Sequence, residues 1–140
     1  MKQYPSKLKY KKNHRVSSSL FYLKEQKNFC LKRGSLALKT LKAGKLKYPQ
    51  IEACRKSIRR NVKKKGKILL RTFTYFSVTK KSIASRMGKG KGNHAYWVSP
   101  VKKGQVICEI EGVSFLQGFK ALSIAKSRLP FKTVIVKNVY

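Results

Sequence analysis

The sequence predicts an α+β fold, with a small mixed or antiparallel sheet and two packed helices. Apolar side chains recur at three- and four-residue spacing over two segments, residues 50–65 and 114–129, as amphipathic helices require. Short alternating runs flank and separate these segments and predict strands. Helices interleaved with hairpin-type strands are typical of α+β folds rather than of doubly wound sheets. Because 140 residues suit a single domain, we expect one domain over residues 25–140, preceded by a basic arm over residues 1–24.

The balance of basic and acidic residues already indicates what class of partner the protein binds. Lys and Arg contribute 35 residues against 4 acidic ones, which gives a formal net charge of +31. The acids are Glu25, Glu52, Glu109 and Glu111. A hydrophobic content of 41% is too high for a purely disordered tail, so a small core must lie inside this cationic surface. Such a surface expects a partner with dense negative charge, and nucleic acid is the first candidate.

Groups that could support catalysis or hold a metal are sparse. Without Asp no Ser-His-Asp triad can be built, and four carboxylates leave little for a calcium or magnesium site. Cys30, Cys54 and Cys108 are widely spaced with no CxxC, which indicates buried or inert thiols in a reducing compartment. We therefore expect no metal and no cofactor. No apolar run approaches the length of a membrane-spanning helix.

Residues 1–24 are polar and basic, with few apolar side chains. Composition alone leaves three interpretations open: a solvated tail, an arm that orders on RNA with Tyr10 and His14 as stacking groups, or an acid-free mitochondrial presequence. The cations that would contact RNA phosphates are Lys7, Lys9, Lys11, Lys12 and Arg15.

The first helix, over residues 50–65, has one apolar and one cationic side. Pro49 suits its entry and Gly66 its C-cap. The apolar stripe consists of Ile51, Cys54, Ile58 and Val62. Glu52 is the only acid on the helix, so pairing within the helix cannot account for its cations, and we expect them to face phosphates. These cations are Arg55, Lys56, Arg59, Arg60, Lys63 and Lys64.

The remaining elements follow from shorter patterns. One or two short strands are expected within residues 28–47, and residues 67–74 form a mostly buried strand. A long loop over residues 75–93 precedes two strands at residues 94–99 and 105–111, and a strand over residues 132–137 closes the chain. His94 is expected to be a strand residue facing its neighbours, and Tyr96 and Trp97 to be sheet aromatics or base-stacking groups.

The second helix is expected to open with a capping box formed by Ser114 and Gln117, and to end at Pro130. Gly118 inside it should lower helix stability by about 1 kcal/mol relative to Ala. The apolar stripe is formed by Phe115, Phe119, Leu122, Ala125 and Leu129.

A glycine- and lysine-rich run within the long loop is the most informative motif. It consists of Arg86, Met87, Gly88, Lys89, Gly90, Lys91 and Gly92. Glycines permit close backbone approach and the lysines between them place point charges there, which suits insertion into folded RNA. The alternatives are a flexible linker and a nucleotide-binding loop, but neither GxxxxGK[ST] nor GxGxxG is met.

The run RMGKGKGN, followed by Tyr96-Trp97-Val98 and by Glu109-Ile110-Glu111-Gly112-Val113, resembles the universal large-subunit ribosomal protein sixteen family of the bacterial type. The resemblance extends back to Gln50-Ile51-Glu52-Ala53 and forward to Leu129-Pro130-Phe131-Lys132-Thr133, and it covers most of residues 5–138. The family usually has prolines where this chain has residues 74–77 and Ser82, so the base of the loop should be looser here.

The resemblance implies an α+β fold with a hammerhead-like motif and a structural, non-catalytic role in translation and late subunit assembly. Family members bind large-subunit rRNA near the A-site, and the loop matching residues 86–92 points toward the peptidyl transferase region and tRNA. The implied partners are large-subunit rRNA, tRNA and neighbouring ribosomal proteins, with no membrane and no small-molecule substrate. Arg71, Lys80 and Lys132 join the rRNA-binding candidates on this basis.

Two competing functions and the cellular location remain as expectations. A free-standing nucleic-acid-compacting or RNA-chaperone protein would use the same charge, and a nucleotide hydrolase is a third possibility. Because the resemblance begins at Pro5, we expect no presequence ahead of it. The preference for Lys over Arg and the divergence from the plastid pattern favour a mitochondrial large ribosomal subunit over a plastid or bacterial one.

Overall fold

The computed structural model describes residues 4–14, 30–63, 65–88 and 90–138. Seven strands and two helices occur in this part of the chain, so the predicted α+β fold with two helices is confirmed. In chain order they are β1 (Leu36–Thr40), β2 (Gly44–Lys47), α1 (Tyr48–Val62), β3 (Lys67–Leu70), β4 (Phe76–Lys80), β5 (Asn93–Val101), β6 (Val106–Glu111), α2 (Phe115–Lys126) and β7 (Thr133–Lys137).

The described strands form two sheets, and every pairing between them is antiparallel. A four-stranded sheet has the order β3-β6-β1-β7, and a three-stranded sheet has the order β2-β5-β4. In the larger sheet Leu38 of β1 lies opposite Cys108 of β6 on one side and Ile135 of β7 on the other. Strands β5 and β6 are consecutive but belong to different sheets, so the turn between them carries the chain from one sheet to the other.

The core lies between the helices and the four-stranded sheet. The predicted stripe of α1 is confirmed: Ile51, Cys54, Ile58 and Val62 are fully buried. Three of these four pack with residues of α2 and of strands β1 and β6, while Ile51 joins a second cluster under the three-stranded sheet. The members of that second cluster are Leu46, Ile51, Val101 and Ile107.

The predicted C-cap of α1 is wrong. The helix ends at Val62, and Lys63 takes the positive φ of 55° while its N–H donates to the Arg59 carbonyl at 2.9 Å. Gly66 is instead a site of close packing, because a Cβ there would lie 2.2 Å from Cγ2 of Val113. A glycine can therefore follow a helix closely without terminating it.

The predicted apolar stripe of α2 is wrong in part. The buried residues are Gly118, Ala121, Leu122 and Ala125, whereas Phe115 and Phe119 are 49% and 47% exposed. The helix ends at Lys126, before the predicted stop at Pro130, and Leu129 packs against the core from the following turn. The small residues on the buried side let the helix approach β1, and the large aromatic rings lie beside that contact.

The predicted capping box of α2 does not form. Ser114 occupies the N-cap position but makes no side-chain cap hydrogen bond. The Gln117 amide instead donates to the Asn61 carbonyl at 3.0 Å, near the end of α1. Gln117 therefore links the two helices, and the close contact between them outcompetes local capping.

The long predicted loop over residues 75–93 is also corrected. Its first part is strand β4, which pairs with β5 so that Ser77 lies opposite Trp97 and Lys80 opposite Asn93. The remaining loop, residues 81–92, is the connection of a β-hairpin. Its base therefore lies in a hydrogen-bonded ladder, although the family prolines are missing. The predicted strand over residues 67–74 is correspondingly shorter and ends at Leu70.

Candidate nucleic-acid interface

One predicted rRNA-binding residue, Arg71, lies in a buried ion pair. The Glu109 carboxylate on β6 is fully buried and pairs with Arg71. It also accepts backbone N–H bonds from Lys32, Arg33 and Gly34 at 3.2, 3.0 and 2.9 Å. Burial alone would raise the pKa of Glu109, but these N–H donors and Arg71 hold its pKa below the ordinary value. Arg71 thus serves inside the fold, and the structure does not bring its guanidinium to the cationic surface.

The outer side of α1 presents exposed cations, as the sequence predicts. Lys56, Arg60 and Lys63 are exposed. The Arg55 guanidinium makes two hydrogen bonds to Glu52, at 2.7 and 3.0 Å, and this pairing lowers the pKa of Glu52. Arg59 is exposed but also donates to the Gly66 carbonyl at 3.3 Å. Lys64, another predicted cation, lies outside the described residues.

The N-terminal arm lies against the base of the glycine-rich loop. The Lys12 ammonium donates to the Lys91 carbonyl at 3.0 Å, and the Lys91 ammonium donates back to the Asn13 carbonyl. This reciprocal pair of bonds joins residues almost eighty positions apart in sequence. The predicted contact residues on the arm are all exposed: Lys7, Lys9, Tyr10, Lys11, Lys12 and His14. Arg15 lies outside the described residues.

The tip of the loop is open to solvent. Gly88 and Gly90 have φ values of 93° and 77°, which L side chains rarely adopt, and a Cβ on either would meet no neighbour. Arg86 is exposed, and Met87 is 95% exposed. The Lys81 ammonium donates to the Gly88 carbonyl at 2.6 Å and so folds the tip back on its own base. Lys89 lies outside the described residues.

Gly92 has a different role from the glycines at the tip. A Cβ there would lie 2.7 Å from the backbone carbonyl of Lys80, so the two limbs of the hairpin touch at this point. Lys80 itself is exposed at the end of β4. The predicted run therefore contains two glycines for conformation and one for close approach.

The predicted rRNA-binding residue Lys132 lies in a depression that contains two further cations. Lys132 lines a shallow depression together with Lys42 and Lys126, with Pro130 and Phe131 contributing its apolar part. Lys42 and Lys126 are exposed cations that the sequence reasoning did not single out. Lys42 lies in a turn and Lys126 at a helix end, and nothing in the local sequence indicates that they lie close to Lys132 in the fold.

Strand β2 contributes further cations that the sequence reasoning missed. Lys45 and Lys47 are exposed on either side of the buried Leu46. The Lys47 ammonium lies 4.7 Å from the ring centroid of Tyr96, a cation–π contact on the three-stranded sheet. The alternation of Lys45, Leu46 and Lys47 was the signal, because alternate strand residues face opposite sides. Tyr96 is half-buried, as expected of a sheet aromatic.

The remaining groups with catalytic or ligand potential are structural. The prediction for His94 is confirmed, since it lies on β5 with Nδ1 2.7 Å from the Ser77 Oγ and its ring 4.6 Å from that of Trp97. Within residues 4–14, 30–63, 65–88 and 90–138, no cluster of His, Cys, Asp or Glu is suited to a metal ion. No helix in those ranges is long and apolar enough to span a bilayer.

The cysteines agree with the prediction except for one. Cys54 and Cys108 are buried, whereas Cys30 is exposed. Contact with Cys54 and burial raise the pKa of the Cys108 thiol well above its ordinary range. The two core thiols therefore act as small apolar side chains.

Known proteins match this chain over nearly its whole length. The profile of a family described as ribosomal protein L16p/L10e matches residues 5–136. The chain is similar to the large ribosomal subunit protein uL16 of Buchnera aphidicola subsp. Cinara cedri, with 38% identity over 135 residues that cover 96% of each chain. It is similar to the uL16 of Psychrobacter arcticus, with 46% identity over 105 residues that cover 75% of this chain and 77% of the relative. It is also similar to the uL16 of Blochmanniella pennsylvanica, with 38% identity over 132 residues, or 94% and 96% of the two chains. The chain belongs to the ribosomal protein L16p/L10e family.

Proposed function

We propose that this chain is a structural constituent of the large ribosomal subunit that binds large-subunit rRNA. One observation carries the proposal: exposed cations lie on separate elements of the fold, on the arm, on α1 and on the hairpin loop. Of the three described acids, Glu52 and Glu109 are paired internally. A protein that binds a single groove of a nucleic-acid duplex would concentrate its positive charge on one face. The names of the uL16 relatives support the same assignment.

The proposed mechanism is electrostatic neutralisation of rRNA phosphates. Each lysine or arginine that contacts a phosphate releases condensed counterions, so binding weakens steeply as salt rises. The phosphate-contacting set comprises Lys7, Lys9, Lys11, Lys12, Arg15, Lys56, Arg59, Arg60, Lys63, Lys64, Lys80 and Lys132, with Tyr10 and His14 as stacking groups. Two further predicted rRNA-binding residues, Arg55 and Arg71, are held in ion pairs with Glu52 and Glu109. The arm is taken as residues 1–24 and the rRNA-binding domain as residues 25–140.

The hairpin loop is proposed to face tRNA and the peptidyl transferase region. Its open tip supports this orientation, because Arg86 and Met87 are exposed and a Cβ on Gly88 or Gly90, both at positive φ, would meet no neighbour. The rest of the proposed tRNA-facing set is Lys89, Lys91 and Gly92. Neighbouring ribosomal proteins would surround it, and no catalytic group or cofactor is assigned to the chain.

The location that we propose is the mitochondrial large ribosomal subunit. The preference for Lys and the departures from the family pattern in residues 74–77 support it. The named relatives come from bacteria, so the bacterial cytoplasm is the competing location. Fractionation of the source cells distinguishes them: recovery with mitochondrial ribosomes supports the proposal, and recovery with cytoplasmic ribosomes refutes it.

The ribosomal role is tested by sedimentation. An affinity-tagged full chain expressed in its source cells should run with large subunits and whole ribosomes on a sucrose gradient. When the ribosomes are dissociated into subunits, the tagged chain should remain with the large-subunit fraction. Sedimentation at the top of the gradient, together with compaction of added nucleic acid, would refute the ribosomal role and support a free-standing compacting protein.

A further inference from the structure

A groove lies where the arm, the hairpin loop and the three-stranded sheet meet. Its volume is about 330 Å³. Asn13 and His14 of the arm form one wall, Lys91 of the loop another, and residues of β2, β4 and β5 form the floor. None of the described lining residues is acidic. The reciprocal Lys12–Lys91 and Lys91–Asn13 bonds hold the arm against the loop at this groove.

The floor is the outer face of the sheet. In the ladder Lys45 pairs with Pro100, which is two residues from Val98, and Val78 pairs with Tyr96, again two residues from Val98. Because alternate strand residues share a face, Lys45, Val78 and Val98 lie on the same side. Leu46, the neighbour of Lys45, points to the opposite side and is fully buried in the core. The floor therefore combines the apolar side chains of Val78 and the nearly buried Val98 with the hydroxyl groups of Ser77 and Thr79, and it has an ammonium group at its edge.

The walls supply polar groups of the type that recognise a base edge. An asparagine amide both donates and accepts hydrogen bonds, and so does a neutral imidazole. Lys45 and Lys91 bring a cation from the floor and from the loop side. A volume of this order is at the lower end of the range for sites that enclose a small organic group. An apolar floor, hydrogen-bonding walls and flanking ammonium groups match the three parts of a nucleotide: base face, base edge and phosphate.

We propose that this groove binds one unstacked nucleotide of rRNA, with its base over Val78 and Val98 and its phosphate on Lys45 and Lys91. Sequence-specific recognition of RNA targets single-stranded loops and bulges whose bases can be splayed into such sites. The inference rests on the proposed function, because it takes rRNA to be the ligand. It adds that part of the binding reads single-stranded RNA through a built site, in addition to general phosphate neutralisation.

Filling the groove without changing charge tests the proposal. Val78→Phe places a larger side chain on the floor, and Val134→Phe makes the same change at an exposed valine of β7 in the other sheet. The probes are a single-stranded oligoribonucleotide and a fully paired RNA hairpin with the same number of phosphates. We expect Val78→Phe to weaken single-strand binding about tenfold, or about 1.4 kcal/mol, and to leave hairpin binding and both salt slopes unchanged. Val134→Phe should change neither affinity.

A charge variant gives an independent measurement. Lys45→Gln removes one ammonium from the groove, and Lys103→Gln removes one from an exposed turn as the matched control. The salt slope for the single strand should fall by about 0.7 with Lys45→Gln, the value for one lost phosphate contact, and should not change with Lys103→Gln. Equal slopes for the two variants would overturn the placement of a phosphate at Lys45.

Photocrosslinking covers the case in which Val78→Phe does not fold, which far-ultraviolet circular dichroism would reveal. A 4-thiouridine oligoribonucleotide bound to the unmodified full chain should crosslink to peptides containing residues 13–14 or 77–79. Two outcomes would overturn the proposal: crosslinks confined to α1, and single-strand binding by Val78→Phe as tight as that of the unmodified chain. Either result would favour a protein segment as the occupant of the groove. Competition by inorganic phosphate as effective as that by uridine monophosphate, at equal ionic strength, would reduce the site to an anion site and also overturn it. None of these outcomes affects sedimentation with large subunits, so the groove can fail while the ribosomal role stands.

Discussion

Replacing Glu109 with Gln should destabilise the fold far more than the same change at Glu52. Both substitutions remove one negative charge and keep the side-chain shape. Glu109 is fully buried against an Arg71 side chain that is 11% exposed. Glu52 and its partner Arg55 have side chains 18% and 30% exposed, one helical turn apart. The comparison therefore isolates burial, with charge change and amide chemistry held constant.

The expected magnitudes follow from the two environments. Removing one partner of a buried pair leaves an uncompensated charge and typically costs about 3–5 kcal/mol. A glutamine amide has one accepting oxygen and one donating NH₂ group. Its NH₂ would face either Arg71 or the N–H groups of residues 32–34, so a donor that now bonds to the carboxylate would lose its acceptor. An exposed pair on a helix contributes only about 0.3–0.5 kcal/mol. The predicted difference between the two variants is thus about 2.5–4.7 kcal/mol.

Urea unfolding of the purified full chain, followed by circular dichroism at moderate salt, measures this difference. Unchanged m-values would show that the free energies of unfolding are comparable. A loss below about 1 kcal/mol for Glu109→Gln, within the range of surface pairs, would refute the assignment of Glu109 as the charge that joins residues 32–34 to β6.

The remaining predictions concern pH, RNA contact, the loop and α2. The pKa of Glu109 in the folded chain lies below its ordinary value of 4.5. The ionised carboxylate therefore stabilises the fold fully above pH 4.5, and this contribution is lost as the pH falls through the folded pKa. In the Glu109→Gln variant the free energy of unfolding should depend less on pH in this acidic range, and an unchanged dependence would contradict the prediction. Lys56→Gln with Arg60→Gln should lower the salt slope for an rRNA fragment by about 0.7–0.9 per lost contact, and an unchanged slope would mean that α1 faces solvent. Deleting residues 87–90, which keeps Lys91 and Gly92 at the base of the loop, should spare incorporation into subunits but impair tRNA-dependent steps in a translation assay, whereas loss of incorporation would make the loop an anchor. Gly118→Ala should lower the free energy of unfolding by up to about 2 kcal/mol. The new Cβ would lie 2.6 Å from buried Leu36, and the resulting strain of about 1–3 kcal/mol opposes a helix-propensity gain of about 1 kcal/mol. A stabilised variant would refute the close packing.

Periodicity was a good guide where one face of an element is buried by large side chains. The stripe of α1 was predicted residue for residue, because Ile51, Cys54, Ile58 and Val62 occur at three- and four-residue spacing and nothing else on the helix competes with them. In α2 the large aromatic residues attracted the prediction, yet the buried side is Gly118, Ala121, Leu122 and Ala125. Close approach of a helix to a large side chain such as Leu36 needs small residues on the helix, which hydrophobicity patterns do not mark.

The exposure of the candidate cations was predicted more successfully than their contacts within the fold. Exposed lysines on the arm and α1 follow from composition, since so few acids are present to pair them. Arg71 has the same composition signal but pairs with Glu109, and that contact depends on the pairing of β3 with β6. The bonds between Lys12 and Lys91 also join distant parts of the chain. Long-range contacts of this kind carry no signature in the local sequence.

The hairpin origin of the glycine-rich loop has a mechanical consequence. Its two limbs emerge from adjacent strands whose last pair is Lys80 with Asn93, so the loop is a lever with its fulcrum in the three-stranded sheet. Each limb of residues 81–92 can extend at most about 20 Å, at roughly 3.3–3.6 Å per residue. Over that length a tilt of about ten degrees at the sheet moves the tip by about 3 Å, comparable to the length of a hydrogen bond. A small tilt at the sheet is therefore converted into a larger displacement at Arg86 and Met87.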